Sequence, residues 1–340
     1  MSTILDVEKY SGVSKSTISR YLNGHTVRPE KKELIEKAIK DLSYTKNPFA
    51  SGLKNGKTHT IGILIPEITD FFFPPIISNI EKTLRNIGYQ TLISNYGEDP
   101  KKEKEILNFL VNKHVDGIII ASSSSTGEHI QKCLDKNIPV VLLDRLIGGF
   151  DCDAVTSDHY QGTYDALSRV IRKGHSRIAF IRGEESVHSD KTRFHAYEDA
   201  LKNHNIEVKP KYVVTAGINE YDVSREFMGL LDLPEPPTLI FLSNLFIAIG
   251  GLEAIIENDI KIPDDVSILA FDRISSFPWM NFVKSITPEF SSIYQHLDGI
   301  GSNVCTLLLD RIESNGKYKK TKQVIVKTSL IMTDSIKSLL

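Results

Sequence analysis

The sequence predicts a small all-α helix-turn-helix head joined to an α/β body of two doubly wound lobes. Two short helical patterns separated by a glycine predict the head. After a break rich in Gly, Asn and Lys, short apolar runs alternate with amphipathic stretches, which predicts the body. The chain has 340 residues, of which 41% are apolar and 25% charged, so its composition is that of a globular protein with more than one domain.

The first two helices of the head are predicted from their capping residues. Thr3 and Asp6 have the spacing of a capping box, which starts a helix at the next position after Thr3. Gly12 tolerates a positive φ, and Ser14 is a good N-cap for a second helix that reaches Leu22. The short break between these helices is typical of a helix-turn-helix motif.

The outward face of the second helix is polar and basic. Lys15, Ser16 and Arg20 lie opposite the inward-facing Ile18, and these residue types can contact base edges in the major groove. The first 57 residues carry 11 Lys and Arg against 6 Asp and Glu, and the remainder carries 30 against 37. A basic head is typical of nucleic-acid binding, but the same face also fits a three-helix packing module with a solvated basic surface.

A hinge is predicted between the head and the body. The third helix begins near Pro29, and its apolar spacing ends before residues 46–58, which are rich in Gly, Asn and Lys. The part of this segment after Pro48 is too short for a stable isolated helix, and Gly52 weakens it further. We therefore expect the hinge to fold only when it is bound, with a flexible tether as the alternative.

The body, residues 59–340, is predicted from strand and helix patterns that follow one another along the chain. Strands are expected at 61–65, 91–94, 117–121, 140–143, 155–157, 178–181, 239–242 and 266–271, with helices at 75–87 and 101–113, after 159, and from 193 and 246. Such alternation indicates parallel βαβ units in two lobes. Ligands bind these folds at the carboxyl ends of the strands, and two lobes can close around one.

One stretch of the head is specific enough to indicate a family. Residues 4–22, ILDVEKYSGVSKSTISRYL, followed by Asn23 and Gly24, resemble the signature DVA-x-x-AGVS-x-x-TVSR-x-LN of lactose-repressor (LacI/GalR) family regulators. Later stretches resemble further family motifs: PEITDFFF at 66–73, LDR at 143–145, GHSRIA at 174–179 and RFHAY at 193–197. The resemblance covers nearly the whole chain and implies a body similar to periplasmic binding proteins, with a lobe boundary near 157 and chain crossings near 287 and 320.

The resemblance implies a set of DNA-binding residues. Lys15 and Ser16 match variable base-reading positions, and Arg20 matches the basic position one turn later. In the family, the hinge helix packs against that of a second subunit and inserts a leucine into the minor groove, which makes Leu53 the candidate wedge. The full implied set is Ser14, Lys15, Ser16, Thr17, Arg20, Asn23, Leu53 and Lys54.

The resemblance also implies a set of effector-binding residues in the body. These are Phe72, Phe73, Asp144, Arg193, Tyr221, Asn244, Asp272 and Phe290. Aromatic faces with convergent polar groups suit a sugar or a similar polar metabolite. Arg273 replaces an aspartate of the family pattern and could pair with a sugar acid or sugar phosphate, but an arginine beside a cleft is more often a structural ion-pair partner.

Other function classes are disfavoured by motifs that the sequence lacks. No P-loop, H-E-x-x-H, G-x-S-x-G or G-x-G-x-x-G after a strand is present, so we expect neither an enzyme nor a cofactor. Cys133, Cys152 and Cys305 lie far apart, which supports neither disulfides nor a metal site. No apolar run approaches the about 18 residues of a membrane span, and no signal peptide is seen, so a cytoplasmic location is expected.

Together these features predict a cytoplasmic transcriptional repressor of carbohydrate uptake or catabolism genes. It is expected to bind double-stranded operator DNA as a homodimer and to respond to a small-molecule effector, a sugar, sugar acid or sugar phosphate, held between its lobes. The alternatives are a ligand-binding protein without DNA function and an enzyme built on the same α/β body.

Overall fold

The chain divides into two contact units between His59 and Thr60. The computed structural model describes residues 2–22, 24–45, 57–69, 71–185, 187–216, 220–274, 287–314 and 320–340, with the backbone alone at 220 and 221. None of the helices in these ranges is long and apolar enough to cross a membrane.

The first unit is a three-helix head. Its helices are α1 (Ile4–Ser11), α2 (Lys15–Leu22) and α3 (Pro29–Asp41). The predicted capping box is confirmed, because the Thr3 hydroxyl accepts from the Asp6 N–H and the Asp6 carboxylate accepts from the Thr3 N–H at 2.7 Å. Gly12 ends α1 with a φ of 64°, a left-handed conformation that an L side chain would strain. The head packs around a small apolar core: Val7, Val13, Ile18, Ile35 and Ala38.

The second unit alternates strands and helices as expected for an α/β body. In chain order its elements are β1 (Thr60–Ile65), α4 (Phe73–Asn86), β2 (Gln90–Asn95), α5 (Pro100–Asn112), β3 (Gly117–Ile120), α6 (Glu128–Leu134), β4 (Val140–Leu143), β5 (Asp153–Ser157), α7 (His159–Ile171), β6 (Ile178–Arg182), α8 (His188–Asn203), β7 (Val213–Thr215), α9 (Glu220–Leu231), β8 (Leu239–Leu242), α10 (Leu245–Glu257), β9 (Ser267–Phe271), β10 (Ser291–Tyr294), α11 (Leu297–Glu313), β11 (Gln323–Val326) and β12 (Ser329–Ile331). A single 3-10 turn, Pro210–Tyr212, precedes β7 among the described residues.

The strands form two sheets, one for each lobe. The first has the order β11-β5-β4-β3-β1-β2 and its described pairs are parallel. The second has the order β12-β10-β9-β8-β6-β7, and only β12 pairs antiparallel with its neighbour among the described strands. The central strands β3, β4, β8 and β9 are buried along their whole length, because helices cover both faces of each sheet.

Three chain crossings join the lobes within the described residues. The first follows Ser157, the second lies between Tyr294 and Leu297, and the third lies between Val326 and Ser329. The expected positions of the second and third crossings, 287 and 320, are several residues too early. The chain first adds β10 beside β9 in the second sheet, and later adds β11 at the edge of the first sheet, before it crosses.

Candidate functional site

The polar face of α2 is exposed on the head. Lys15, Ser16 and Arg20 are exposed, whereas Ile18 is fully buried in the helix core. The three side chains proposed to read bases therefore share one accessible helix surface, as helical spacing predicts.

The start of α2 is held by a residue that the sequence analysis did not identify. The Glu8 carboxylate of α1 accepts from the Lys15 N–H at 2.7 Å and so caps α2 from a different helix. The Ser14 hydroxyl instead lies 3.2 Å from that of Ser16 and 3.0 Å from that of Thr17. Local capping rules search within three residues of a helix start, so they do not find a cap supplied from seven residues before.

Three predicted DNA contacts cannot be placed. Asn23, Leu53 and Lys54 lie outside the described residues. Their roles stay predictions from the sequence.

A cavity of about 170 Å³ lies between the two lobes of the body. Its lining includes six of the eight residues predicted for the effector: Phe72, Phe73, Asp144, Arg193, Asn244 and Asp272. The remaining lining residues are Arg145, Gly183, Glu184, Val187, Ser189, Asp190, Leu245, Phe246 and Gln295. The groups that follow the carboxyl ends of the strands thus meet at one place, as expected for parallel sheets.

The Arg193 guanidinium is held rigidly in the second lobe. Its Nη1 donates to the Ser243 carbonyl at 2.7 Å, and its Nη2 lies 3.1 Å from His159 Nδ1. Its Cζ lies 3.6 Å from the centre of the Phe271 ring, within range of a cation–π contact. These contacts orient the guanidinium edge that faces the cavity.

Asp144 belongs to the first lobe and faces His159. Asp144 Oδ1 lies 3.3 Å from His159 Nε2, although neither atom has a well-aligned hydrogen-bond partner among the described residues. Burial raises the pKa of Asp144, but the adjacent His159 and the charges of Arg193 and Arg145 outweigh burial and hold that pKa below its ordinary value. The carboxylate is therefore ionised at the cavity wall.

Two further charged residues of the lining, Arg145 and Asp190, form ion pairs. Arg145 binds Glu98 through two hydrogen bonds of 2.8 and 2.7 Å. Arg182 donates from Nε and Nη2 to Asp190 at 2.9 and 2.7 Å, and the Gly183 N–H donates to the same carboxylate. These pairs fix one guanidinium in the wall of the first lobe and one carboxylate in the wall of the second.

The polar groups at the far end of the cavity also have local partners. Gln295 Nε2 donates to Asp272 Oδ1 at 2.7 Å, immediately after β10. Asn244 is the N-cap of α10, where its Oδ1 accepts from the Ile247 N–H at 2.9 Å. Sequence analysis missed Gln295, because the residue sits at a chain crossing and carries no motif of its own.

The apolar wall contains the predicted aromatic pair. Phe72 and Phe73 meet edge to face, with ring centres 5.1 Å apart. Phe73 is buried in the first lobe and Phe72 is half-buried. Phe246, at the start of α10 in the second lobe, stays 38% exposed and adds a third ring to the lining.

In this region one prediction needs correction, the structure decides between two alternatives for a second residue, and one prediction cannot be placed. Phe290 is not among the described residues that line the cavity, because it packs into the apolar core of the second lobe just before β10. Arg273 also does not line it, since its Nε donates to Glu289 at 2.6 Å, so the structural ion pair is the correct alternative. Tyr221 lies in α9, but its side chain is outside the described part of the structure.

Two family models match the chain over most of its length. Residues 3–47 match the model described as bacterial regulatory proteins, lacI family. Residues 58–333 match the model described as periplasmic binding proteins and sugar binding domain of LacI family. The resemblance seen in the sequence is thereby confirmed for both the head and the body.

Individual relatives agree with these models. Catabolite control protein A of Priestia megaterium is 32% identical over 313 residues, covering 90% of this chain and 91% of that protein. The HTH-type transcriptional repressor CytR of Escherichia coli K12 is 28% identical, covering 99% of this chain and 97% of that protein. The comparison with such repressors confirms the prediction that this chain is not an enzyme.

Solved structures support the fold. The lac repressor dimer bound to operator and the anti-inducer ONPF superposes with a TM-score of 0.83 at 21% identity, covering 99% of both chains. The CelR–cellobiose complex gives a TM-score of 0.70 at 23% identity, covering 98% of this chain and 100% of that one. With a helix-turn-helix head and an effector-binding body, this chain belongs to the LacI family of DNA-binding transcription regulators.

Proposed function

We propose that this protein is a cytoplasmic repressor of carbohydrate uptake or catabolism genes, and that its effector is a neutral sugar. It binds a near-palindromic operator as a homodimer. The sugar binds in the cavity between the lobes and changes operator affinity by preferring one arrangement of the lobes, since a ligand without such a preference shifts nothing.

One observation carries the choice of ligand class. Three cavity-lining side chains have a buried polar atom that no described residue is aligned to bond: Asp144 Oδ1, Arg193 Nε and Gln295 Oε1. Two of these atoms are acceptors and one is a donor. A sugar hydroxyl both donates and accepts, so a ring with neighbouring hydroxyls offers partners to atoms of both kinds.

The charge of the lining argues against an anionic effector. Asp144, Glu184, Asp190 and Asp272 supply four carboxylates, against the two guanidiniums of Arg145 and Arg193. The ionised phosphate or carboxylate group of such a ligand accepts hydrogen bonds but cannot donate to the carboxylates of the lining, and its charge is repelled by them. We therefore narrow the three ligand classes expected from the sequence to the uncharged sugars.

For DNA binding, the head places its exposed α2 face in the major groove. Lys15, Ser16 and Arg20 contact base edges, and Ser14, Thr17 and Asn23 support them. Leu53 and Lys54 of the hinge act at the minor groove in the centre of the operator. The relatives named as transcriptional repressors support this role for the head.

The ligand proposal is tested by thermal unfolding in the presence of matched compounds. D-glucose, D-gluconate and D-glucose 6-phosphate form one trio, D-ribose and D-ribose 5-phosphate form a pair, and cellobiose adds a disaccharide. A ligand that binds the folded protein raises its melting temperature. By mass action, a hundredfold excess over the Kd increases the free energy of unfolding by about 2.7 kcal/mol. We expect the uncharged members to stabilise the protein, and stabilisation by the anionic members alone refutes the proposal.

Two arginine variants show whether the cavity is responsible. Arg193→Ala is expected to abolish the sugar response while operator binding is kept, and Arg273→Ala is the matched control outside the cavity. Operator binding is measured by gel shift on a duplex chosen by in vitro selection, in parallel with random duplex at several salt concentrations. An equal sugar response in both variants and the parent means that the site lies elsewhere.

A further inference from the structure

His159 occupies an unusual place at the boundary between the lobes. It is the first residue of α7, directly after the first chain crossing, and only 2% of its surface is exposed. It is not among the described residues that line the cavity, so contact with the effector does not explain its burial.

The imidazole lies between Arg193 and Asp144, two polar side chains that line the proposed effector site. On one side, His159 Nδ1 lies 3.1 Å from Arg193 Nη2, and on the other side His159 Nε2 lies 3.3 Å from Asp144 Oδ1. Arg193 belongs to the second lobe, whereas Asp144 follows β4 of the first. The contacts form a buried chain from one lobe through the imidazole to the other.

The contacts determine which imidazole nitrogen carries the proton. An arginine side chain only donates hydrogen bonds, so His159 Nδ1 must be the acceptor and carry no hydrogen. The single hydrogen of a neutral ring is then on Nε2, which faces the ionised Asp144 carboxylate. Nε2 lies 3.3 Å from Oδ1 but is not aligned for a hydrogen bond, so its contact with the carboxylate is electrostatic.

We propose that His159 is a positioning residue that joins Arg193 to Asp144 across the lobes only while its ring is neutral, and that its protonation releases Arg193 and weakens effector binding. The part of this inference that concerns effector binding rests on the proposed function. Protonated Nδ1 is a donor and bears charge, so it cannot accept from the guanidinium and is repelled by it.

The surroundings of the ring keep it neutral at the usual pH of the cytoplasm. Burial lowers the pKa of His159 below its ordinary value, and the charge of Arg193 lowers it further, against the opposing effect of Asp144. His188 at the start of α8 also faces the ring, and Phe271 of β9 packs at 5.6 Å between ring centres. Protonation of His159 therefore requires a pH below the ordinary histidine pKa, and its titration is followed over a range from neutral pH into acid.

A ligand-free experiment tests the protonation and the contacts. Long-range 1H–15N NMR spectra of the histidine rings, recorded over that pH range on the full chain, report which nitrogen carries hydrogen and when each ring titrates. His159→Gln assigns the signal. His175 is the internal control, because it is also buried but bonds Thr238 and Lys337 far along the second lobe.

The partners must move the titration of His159 in opposite directions. Arg193→Gln is expected to raise its pKa because a repelling charge is lost, and Asp144→Asn is expected to lower it because an attracting charge is lost. Neither change should alter the titration of His175. The proposal is overturned if hydrogen is found on Nδ1 of the neutral ring, or if both variants leave the His159 titration unchanged.

A second measurement links the ring to the effector. The sugar panel is repeated at the neutral and acidic ends of the range with His159→Gln, His159→Leu and the control His175→Gln. Glutamine can accept through Oε1 and donate through Nε2 without titrating, so its sugar response should lose the acid dependence seen in the parent, whereas leucine should lose the response altogether. A leucine variant that responds like the parent overturns the positioning role. If no sugar acts on any variant, the proposed function fails, while the ring spectra still decide the state of His159.

Discussion

The buried ion pair between Asp153 and Arg311 offers a quantitative test of what holds the first lobe together. Arg311 of α11 donates to Asp153 from Nε at 2.6 Å and from Nη2 at 2.8 Å, and Nη2 also donates to the Lys320 carbonyl at 2.7 Å. The Asp153 side chain is fully buried and also accepts from the Lys322 N–H at 2.7 Å. These bonds attach the start of β11 to its neighbour β5.

Replacing Arg311 by methionine should destabilise the protein by about 3–5 kcal/mol, because Asp153 is left as a buried charge without its counterion. The double variant Asp153→Leu with Arg311→Met should recover part of that loss, because buried pairs can be exchanged for apolar residues, while the Lys322 N–H and the Lys320 carbonyl lose a partner. Urea unfolding measures the free energies, and hydrogen exchange at Val324 and Val326 shows whether β11 opens first. A cost below about 1 kcal/mol, typical of exposed pairs, would refute the assignment of this pair as a buried support.

Three further predictions concern DNA binding and acidity. Arg20→Ala should weaken operator binding by roughly 1–3 kcal/mol and relax the preference at one base pair. Competition with base-substituted operators measures this preference, and an unchanged preference would mean that Arg20 does not read a base. Leu53→Ala should reduce operator affinity and DNA bending but leave the affinity for random duplex unchanged. Fluorescence bend angles and paired titrations measure both, and equal losses of affinity on the two DNAs would contradict the prediction. Burial lowers the pKa of His175, and burial together with Arg193 lowers that of His159. Below the ordinary histidine pKa of about 6.5 the unfolded chain therefore binds more protons than the folded one, and the free energy of unfolding should fall as the pH is lowered. A free energy of unfolding that stays constant in acid would contradict both assignments.

The features that the sequence predicted best depend on local periodicity. The outward face of α2 follows from helical spacing alone, so Lys15 and Arg20 are where the pattern places them. Asp144 and Asp272 were predictable because they follow buried parallel strands, and the carboxyl ends of such strands converge. The capping box at the start of α1 is likewise a local arrangement of neighbouring residues.

The features that the sequence missed depend on contacts between distant segments. His159 and Gln295 reach the lobe boundary through chain crossings, and no spacing rule marks a residue at a crossing. A structural ion pair was an alternative for Arg273, but its partner Glu289 could not be named because it lies sixteen positions later in the chain. Phe290 was assigned to the effector site from a loose match to the family pattern, whereas its place beside β10 directs it into the core.

The order of the strands along the chain affects how the protein folds while it is being synthesised. Strand β5 ends at Ser157, but its edge partner β11 is reached only at Val326, after the whole second lobe except β12. At ribosomal speeds of about 5–20 residues per second, that edge waits roughly 10–30 s for its partner. Helix α11, which covers the apolar side of α4 through residues such as Ile300 and Leu308, emerges almost as late. The nascent first lobe therefore keeps an unpaired strand edge while the second lobe is synthesised, and such an edge is prone to aggregation.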